Sequence, residues 1–232
     1  MGRAAAACRW LGLPAAARLE GTVAVLSPHL DDGVFSLGAA ISAASGTVSV
    51  VTVLAGDPQS ELPAGEWDAR SGFRTAGAAA RARRAEDELA CGDVGATPVW
   101  LPFSDHQYPR GAGDDEIWER IEDALGDARS VLVPGFPLMH EDHAWLEALV
   151  RVRGLPGRRV GRYVEQPYAA AWTSGPAGGQ WGALGASARR RLAKRRAWRR
   201  YASQLPLLAG EAGFGRVLRY EVSRGGEWVQ WS

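Results

Sequence analysis

All four histidines of the chain lie in short polar segments that also contain aspartates. The residues with ligating or acid-base side chains are His29, Asp31 and Asp32; Asp105 and His106; and His140 and His143. Two imidazoles and one carboxylate, with a water in the fourth position, form a common catalytic zinc set. Such an ion polarises a carbonyl and lowers the pKa of its water, whose proton a second carboxylate can accept. These residue types therefore predict metal-assisted hydrolysis.

Asp31 and Asp32 are adjacent, so their side chains point in different directions within a turn. One of them can bind the ion while the other accepts the proton, and spacing alone does not say which does which. Either aspartate can also cap the helix that follows, as Asp commonly does. A single histidine is as often structural as functional. That all four histidines of the chain lie in such segments is a stronger indication of a functional site.

The elements around these segments are predicted from the apolar pattern. An apolar run, Val23–Leu26, precedes the first segment, and Val34, Phe35 and Ile41 recur after it at helical spacing. Another apolar run, Val131–Val133, precedes the third segment. In α/β proteins ligands bind outside the carboxyl ends of the strands. The pattern thus predicts a site at that edge of a sheet.

The rest of the chain alternates between strand and helix patterns. Further strands are predicted at Thr47–Leu54, Thr97–Leu101 and Arg162–Glu165, helices at Trp67–Cys91, Asp114–Leu125, Ala144–Val152 and Ser187–Leu205, and a C-terminal β-hairpin from Val217–Val222 and Trp228–Trp231. This alternation indicates an α/β fold with a mostly parallel sheet covered by helices.

Composition restricts the class of protein. The 232 residues suit one domain, which we expect at 21–232, after an N-terminal helix or arm at 1–20. A formal net charge of +1 gives no overall reason to expect nucleic acid as a partner. No apolar run is long enough to span a bilayer. Two cysteines are too few for a disulfide framework, so we expect a cytoplasmic protein.

Four segments resemble the PIG-L/LmbE-like zinc deacetylases, which remove N-acetyl groups from N-acetylglucosamine-type conjugates. Ser27–Asp32 resembles the family signature (A/S)-P/H-H-x-D-D, and His140–His143 resembles its H-x-x-H motif. Arg83 and Glu86 fit the R-x-x-E helix between them. Lys194–Gln204 resembles a K-x-x-A-x-x-x-H-x-S-Q segment, with Tyr at the position of its His. The resemblance runs from about Gly21 to Gln204.

The resemblance implies a three-layer Rossmann-like fold and a role for each matching residue. His29, Asp32 and His143 become ligands of a zinc ion, with iron(II) as the alternative metal. Asp31 becomes the general base. His140 stabilises the charge that develops on the carbonyl oxygen or passes a proton to the leaving amine. The matching substrate-binding positions are Asp105 and Arg83, although Arg83 fits equally well as a solvated or ion-paired helix charge.

Two positions depart from the family pattern. Gly33 stands where the family usually has Glu after the Asp pair, and we expect this change to affect helix packing or support of the ligands. His106 stands where many relatives have Gly. We expect it to reshape the substrate pocket or to reach the metal region, and we count it among the substrate-binding candidates.

A strongly basic stretch, Arg189–Arg200, allows two interpretations. It is an exposed helix whose arginines meet acidic residues elsewhere, or it binds an anionic portion of the substrate. We favour the first. The predicted partner of the protein is in either case a small amino-sugar conjugate, and homo-oligomerisation stays open.

Three other functions are compatible with parts of the pattern. His29, Asp31 and His143 match the spacing of a non-haem iron oxygenase, but that class typically uses an all-β jelly roll. An amidase acting on a thiol conjugate would use the same residues as a deacetylase. A sugar-binding or regulatory protein would not need to keep a full set of catalytic residues, here His29, Asp31, Asp32, His140 and His143.

Overall fold

A seven-stranded sheet in the order β3-β2-β1-β4-β5-β7-β6 forms the centre of the protein. The structure is a computed structural model that describes residues 17–171, 179–212 and 226–232. The strands are β1 Val23–Ser27, β2 Val48–Thr52, β3 Thr97–Trp100, β4 Ser130–Phe136, β5 Arg159–Val164, β6 Trp181–Ala183 and β7 Trp228–Trp231. Strands β1 to β5 pair in parallel, and β7 pairs antiparallel with β5 and β6. The predicted α/β fold with a mostly parallel sheet is confirmed.

Helices cover both faces of this sheet. They are α1 Asp32–Ala43, α2 Glu66–Arg70, α3 Ala76–Val94, α4 Asp114–Leu125, α5 Glu141–Arg153, α6 Ala188–Trp198 and α7 Leu205–Ala212. One core lies between the sheet and α1, α3 and α6, and the other between the sheet and α4 and α5. Side chains alternate along β1, so Val23 and Val25 enter the first core while Ala24 and Leu26 enter the second. This burial on both faces explains the continuous apolar run.

The chain order of the strands brings two of the polar segments of the sequence pattern together. From β1 the chain moves outward through β2 to β3 and then returns to β4 on the other side of β1. The reversal makes the carboxyl ends of β1 and β4 a topological switch point, where open α/β sheets bind ligands. The loop after β1 carries His29, and His143 lies in the first turn of α5, which begins just after the loop that follows β4.

Helix α1 is tightly packed where it leaves the β1 loop. A Cβ on Gly33 would lie 3.2 Å from Val50 Cγ1 and 3.3 Å from Ser27 Oγ. The Ser27 hydroxyl accepts a hydrogen bond from Gly33 N at 2.9 Å and donates one to His29 O at 2.7 Å. Glycine at this position therefore lets the helix approach the sheet closely, which answers the helix-packing expectation for Gly33.

Several predicted elements differ from the structure. The single helix expected over Trp67–Cys91 is two helices, α2 and α3. Gly72 breaks it with a φ of +88°, and the Thr75 side chain accepts a hydrogen bond from Ala78 N to cap α3. The arm expected at 1–20 lies mostly outside the described residues, as does the first hairpin strand, Val217–Val222. Among the described helices, none is long and apolar enough to cross a bilayer.

Candidate metal centre

Three of the sequence-predicted ligands converge at the switch point between β1 and β4. Asp32 Oδ2 lies 3.2 Å from His29 Nδ1 and 3.1 Å from His143 Nε2. The two imidazole nitrogens are 3.3 Å apart. All three side chains are buried. Within the described chain they form one of two groups whose His and Asp atoms could hold a metal ion.

The geometry of this group fits a zinc ion. Zinc bonds to imidazole nitrogen and carboxylate oxygen are about 2.0–2.1 Å long, so two ligand atoms of a tetrahedral site lie about 3.3 Å apart. The three measured separations, 3.1, 3.2 and 3.3 Å, match the edges of one face of such a tetrahedron. Three protein ligands, with one position left for water, are typical of a catalytic zinc site.

Two carboxylates that the sequence analysis did not single out hold the imidazoles. Glu165 Oε1 lies 2.5 Å from His143 Nδ1, and Asp142 Oδ2 lies 3.0 Å from His29 Nε2. Metal-binding histidines usually donate their other ring N–H to such a carboxylate, which fixes their orientation. Glu165 directly follows β5, so the rule that polar residues at strand carboxyl ends form sites could have identified it. Asp142 lies inside the H-x-x-H motif.

The charges of the cluster favour a cation. Burial disfavours protonated imidazoles, but Asp142 and Asp32 outweigh this effect at His29 and raise its pKa to about 9. At His143, Asp32 and Glu165 likewise outweigh burial and raise the pKa to about 10. In the metal-free protein these two protons balance buried carboxylates. A divalent cation binds neutral imidazoles and would displace these two protons. Metal affinity should therefore fall at low pH, where protons compete with the metal.

Asp31 lies beside the ligand group but is not part of it. The group contains Asp32, so the His29, Asp31 and His143 set of the oxygenase alternative is not the one assembled, and the sheet is not a jelly roll. Burial and the Asp32 carboxylate raise the pKa of Asp31 to about 8. Among the described residues, no side chain hydrogen-bonds to its carboxyl group. Without a metal ion this pKa keeps the carboxyl protonated at pH 7, and a cation bound at the neighbouring ligands would favour the ionised form that accepts a proton.

His140 is oriented by the helix that it precedes. Its Nδ1 accepts a hydrogen bond from Asp142 N at 3.2 Å, so it caps the N-terminus of α5. A neutral ring with an acceptor at Nδ1 carries its proton at Nε2. Burial, followed by repulsion from His29 and His143, lowers the pKa of His140 to about 4, and the ring is therefore neutral at pH 7. Its centroid lies 4.8 Å from that of His29.

His106 reaches the same region from the loop after β3. Its Nδ1 lies 3.1 Å from Asp142 Oδ2, and its ring centroid is 4.8 Å from that of His140. Arg110, which the sequence analysis did not single out, contacts the other oxygen of Asp142 at 2.5 Å and stacks 4.0 Å from the Trp145 ring. Of the two expectations for His106, the structure agrees with the one that places it in the metal region.

A cleft next to the β1 loop, whose Leu30 lines it, contains two of the three substrate-binding candidates, Arg83 and Asp105, whereas His106 does not line it. Arg83 is buried, and its Nη1 lies 3.2 Å from Asp68 Oδ1. Burial disfavours its charge, but Asp31, Asp68 and Asp105 outweigh this and raise the pKa of Arg83. Asp105 accepts hydrogen bonds from the main chain and side chain of Gln107, both at 3.0 Å.

The remaining motif residues hold the framework of the cleft. Glu86 accepts hydrogen bonds from Ser203 N and Oγ at 2.8 and 2.7 Å, and Gln204 Oε1 accepts one from Trp67 Nε1 at 2.7 Å. Tyr201, at the position of the usual His, donates to Asp87 at 2.7 Å. These contacts attach the segment after α6 to α2 and α3. They give this part of the sequence pattern a structural role.

The basic stretch forms helix α6 and the turn that follows it. Arg200 pairs with Asp93 at 2.8 Å, and Arg196 lies 3.7 Å from the same carboxylate. Lys194 is buried in an ion pair with Glu227 at 2.7 Å. Asp93, which accepts these two arginines, lies near the end of α3. The substrate-binding candidate Arg83 lies nearer the start of the same helix. Part of the basic charge is therefore used in ion pairs, as the first interpretation expected.

Comparison with known proteins agrees with this geometry. The family model described as "PIG-L: GlcNAc-PI de-N-acetylase" matches residues 24–152, a span that includes β1, the His29–Asp32 segment and the His140–His143 segment. A search of curated proteins gave no match.

Solved structures with the same architecture include two deacetylases and a hydratase. The chain is 27% identical to the A40926 pseudoaglycone deacetylase, with a TM-score of 0.72 over 90% of this chain and 96% of that one. It is 25% identical to a deacetylase triple mutant from the teicoplanin biosynthetic pathway, with a TM-score of 0.71 over 91% and 98%. The 4-carboxy-2-hydroxymuconate hydratase from Pseudomonas putida is 20% identical, with a TM-score of 0.62 over 92% and 96%, and shares the fold alone.

Proposed function

Because the chain belongs to the PIG-L family, whose model covers more than half of it, we propose that it is a metal-dependent hydrolase that removes an N-acetyl group from an amino-sugar conjugate. The observation that carries this proposal is the triangle of His29, Asp32 and His143 with the unbonded carboxyl of Asp31 beside it. Family membership alone would not be enough to propose this activity, since the same fold also occurs in a hydratase.

The metal that we propose is zinc, with iron(II) as the alternative. Two imidazoles and one carboxylate suit zinc in a tetrahedral site, and the separations of the ligand atoms agree with that geometry. The same donor types also bind iron(II). When bound, the ion supplies a Lewis acid that polarises an amide carbonyl and lowers the pKa of a water molecule.

The residues of the chain provide the proton transfers. Asp31 accepts a proton from water as the water oxygen bonds to the amide carbon. His140, neutral with its proton at Nε2, donates a hydrogen bond to the carbonyl oxygen as negative charge develops there, a contact worth about 3 kcal/mol. The carbon–nitrogen bond then breaks. The leaving nitrogen receives the proton that Asp31 took from water, which gives acetate and a free amine, while the neutral His140 keeps its Nε2 proton and acts only as a hydrogen-bond donor.

The cleft next to the β1 loop is our proposed sugar site. Arg83 and Asp105 line it, together with Asp68 and Tyr108, whose hydroxyl donates to Asp68 at 2.6 Å. These groups can exchange hydrogen bonds with sugar hydroxyls. The two deacetylases at 25% identity or above are described as acting on a pseudoaglycone or within teicoplanin biosynthesis. A glycosylated natural product is accordingly the substrate class that we would test first.

The function is tested by measuring metal content together with acetate release. The purified protein is assayed for metal per chain and for acetate released from a panel of N-acetylglucosamine conjugates, with and without a chelator. We expect about one tightly bound metal ion per chain and acetate release that the chelator abolishes. A thiol conjugate in the panel distinguishes the amidase alternative. Metal binding without release of any carboxylate from the panel would contradict the hydrolase proposal.

Glu165 should control metal affinity without touching the metal. In Glu165→Gln, the amide can still contact His143 but removes the negative charge that holds the imidazole proton at Nδ1. Loss of such a partner typically lowers metal affinity by about 10- to 100-fold. Competition with a chelator of known affinity measures the change. Glu147→Gln is the matched control, because Glu147 pairs with Arg162 at 2.9 Å and contacts no candidate ligand. Equal affinities of both variants would refute this role for Glu165.

Binding of an anionic substrate portion at α6 is the interpretation of the basic stretch that we do not favour, and it has its own test. Arg189, Arg195 and Arg199 are exposed and, within the described chain, form no ion pair. If they attract an anionic group, KM should rise steeply with salt between about 0.05 and 0.5 M, because surface attraction is screened. Replacement of all three arginines by glutamine should flatten that profile. A KM that does not change with salt in the unaltered protein would leave these arginines with no role in substrate binding.

A further inference from the structure

We propose that His106, His140 and Asp142 form a second binding site for zinc, weaker than the first and next to it. The inference that excess zinc inhibits the enzyme through this site rests on the function proposed above, whereas the binding itself does not. The site lies on the opposite side of the His29 ring from the first ligand group.

The three side chains already surround one carboxylate oxygen. Asp142 Oδ2 lies 3.1 Å from His106 Nδ1 and 3.9 Å from His140 Nδ1. It also lies 3.0 Å from His29 Nε2. One ligand atom from each of these four residues lies within 4.8 Å of those of the others, which makes them the second group of the described chain that could hold an ion. Imidazole nitrogen and carboxylate oxygen are donors that zinc prefers.

An ion can reach this group directly from solvent. The side chain of His106 is 42% exposed and that of His140 is 24% exposed, whereas His143 in the first group is fully buried. His140 keeps its Nε2 free of the helix-capping contact, which uses Nδ1. Small rotations of the two more exposed rings would therefore bring donors to an ion at Asp142 without disturbing α5.

Two features make the second site weaker than the first. Arg110 contacts Asp142 Oδ1 at 2.5 Å, so a cation at Oδ2 meets a guanidinium charge across the same carboxylate. Asp142 Oδ2 also accepts from His29 Nε2, and an ion that binds this oxygen competes with that contact. A metal ion in the first group would repel a second ion further. Zinc should accordingly fill the first group before the second.

Occupation of the second site would remove two parts of the proposed mechanism. His140 would bind the ion in place of the carbonyl oxygen of the substrate. Asp142 would bind the ion in place of His29, and His29 would lose the partner that orients it toward the first ion. Zinc above one equivalent should thus inhibit acetate release reversibly, and a mild chelator that strips the weaker site should restore it.

Zinc titration of the full chain tests the site without relying on activity. Metal-free protein is titrated with zinc by calorimetry, and the bound metal is counted after equilibrium dialysis. We expect two zinc ions per chain in the unaltered protein, one of them weaker. His106→Ala should lose the weaker ion and keep the tighter one. Asp114→Asn, which alters an exposed carboxylate that contacts Trp145, is the control and should keep both.

The outcomes separate this inference from the proposed function. Saturation of the unaltered protein at one zinc ion, or retention of both ions by His106→Ala, would overturn the second site. Loss of the weaker ion in His106→Ala supports it, whether or not any acetate is released. Loss of the tighter ion in His106→Ala would also overturn it, because His106 would then belong to a single shared site.

Discussion

Asp31→Ala is expected to remove nearly all turnover while the metal ion stays bound. The Asp31 carboxyl is buried beside the ligand group and has no side-chain partner within the described chain, so its loss removes the proton acceptor and no metal ligand. General-base catalysis typically contributes about 10²- to 10⁴-fold, and we expect kcat to fall by that amount. Acetate release and metal content, measured on the same preparation, test the prediction.

The variant should remain folded, which makes its loss of activity interpretable. Burial and Asp32 raise the pKa of Asp31 to about 8, far above its unfolded value. In the metal-free protein the folded state therefore favours the protonated carboxyl. Its contribution to the free energy of unfolding is complete only at pH values below the unfolded pKa of Asp31. That contribution is lost as the pH rises through about 8. Removal of the carboxyl should leave thermal stability at pH 8 unchanged or higher.

A control and an opposing result complete this experiment. Asp115→Ala changes a carboxylate on α4 that is 85% exposed and pairs with Arg153, so it should leave kcat and metal content unchanged. A normal kcat in Asp31→Ala would mean that another group accepts the proton. Loss of metal in Asp31→Ala would instead make this residue a ligand, and the division of roles between Asp31 and Asp32 would be wrong.

The sheet and the convergence of the ligands could be predicted because both depend on local patterns. A continuous apolar run such as Val23–Leu26 is buried on both faces only within a covered parallel sheet. The carboxyl ends of its strands meet at one edge, which brings His29, in the loop after β1, close to His143, in the first turn of α5. The sequence did not reveal that β1 and β4 are neighbours, since strand order depends on how the chain reverses.

The supporting residues were harder to predict because each depends on a contact that is distant in sequence. Glu165 is 22 residues from His143, and Asp142 is 113 residues from His29. Asp142 also fits the first turn of α5, where an acidic residue is favoured by the helix dipole and calls for no other explanation. Arg110 lies in an irregular loop that offers no periodicity. Only the folded chain shows that it faces Asp142.

The break between α2 and α3 was missed for a different reason. The Ala- and Arg-rich composition from Trp67 onward favours one helix, and a single Gly72 costs an isolated helix only about 1 kcal/mol. Tertiary contacts decide the outcome. Asp68 on α2 binds Arg83 and Tyr108, and Ser71 donates to Ser203 O at 2.9 Å. These contacts need α2 to lie across the cleft, which a helix continuous with α3 would not allow.

His143→Ala is expected to abolish metal binding itself. His143 is fully buried between Asp32, 3.1 Å from Nε2, and Glu165, 2.5 Å from Nδ1. Alanine removes one of three protein ligands and leaves two carboxylates facing a cavity without a cation between them. Even the loss of a supporting partner lowers metal affinity by about 10- to 100-fold, so the loss of a ligand should lower it further. Metal per chain should fall from about one to nearly none.

His140→Ala provides the comparison that makes this result specific to the ligand. Both residues lie in the same H-x-x-H segment, but His140 Nδ1 caps α5 and is not in the group with Asp32. His140→Ala should keep the tightly bound ion and lose turnover, whereas His143→Ala should lose both. Retention of the tight ion by His143→Ala would show that another residue completes the site. If added imidazole restored metal binding to His143→Ala, the cavity left by the ring would be identified as the ligand position.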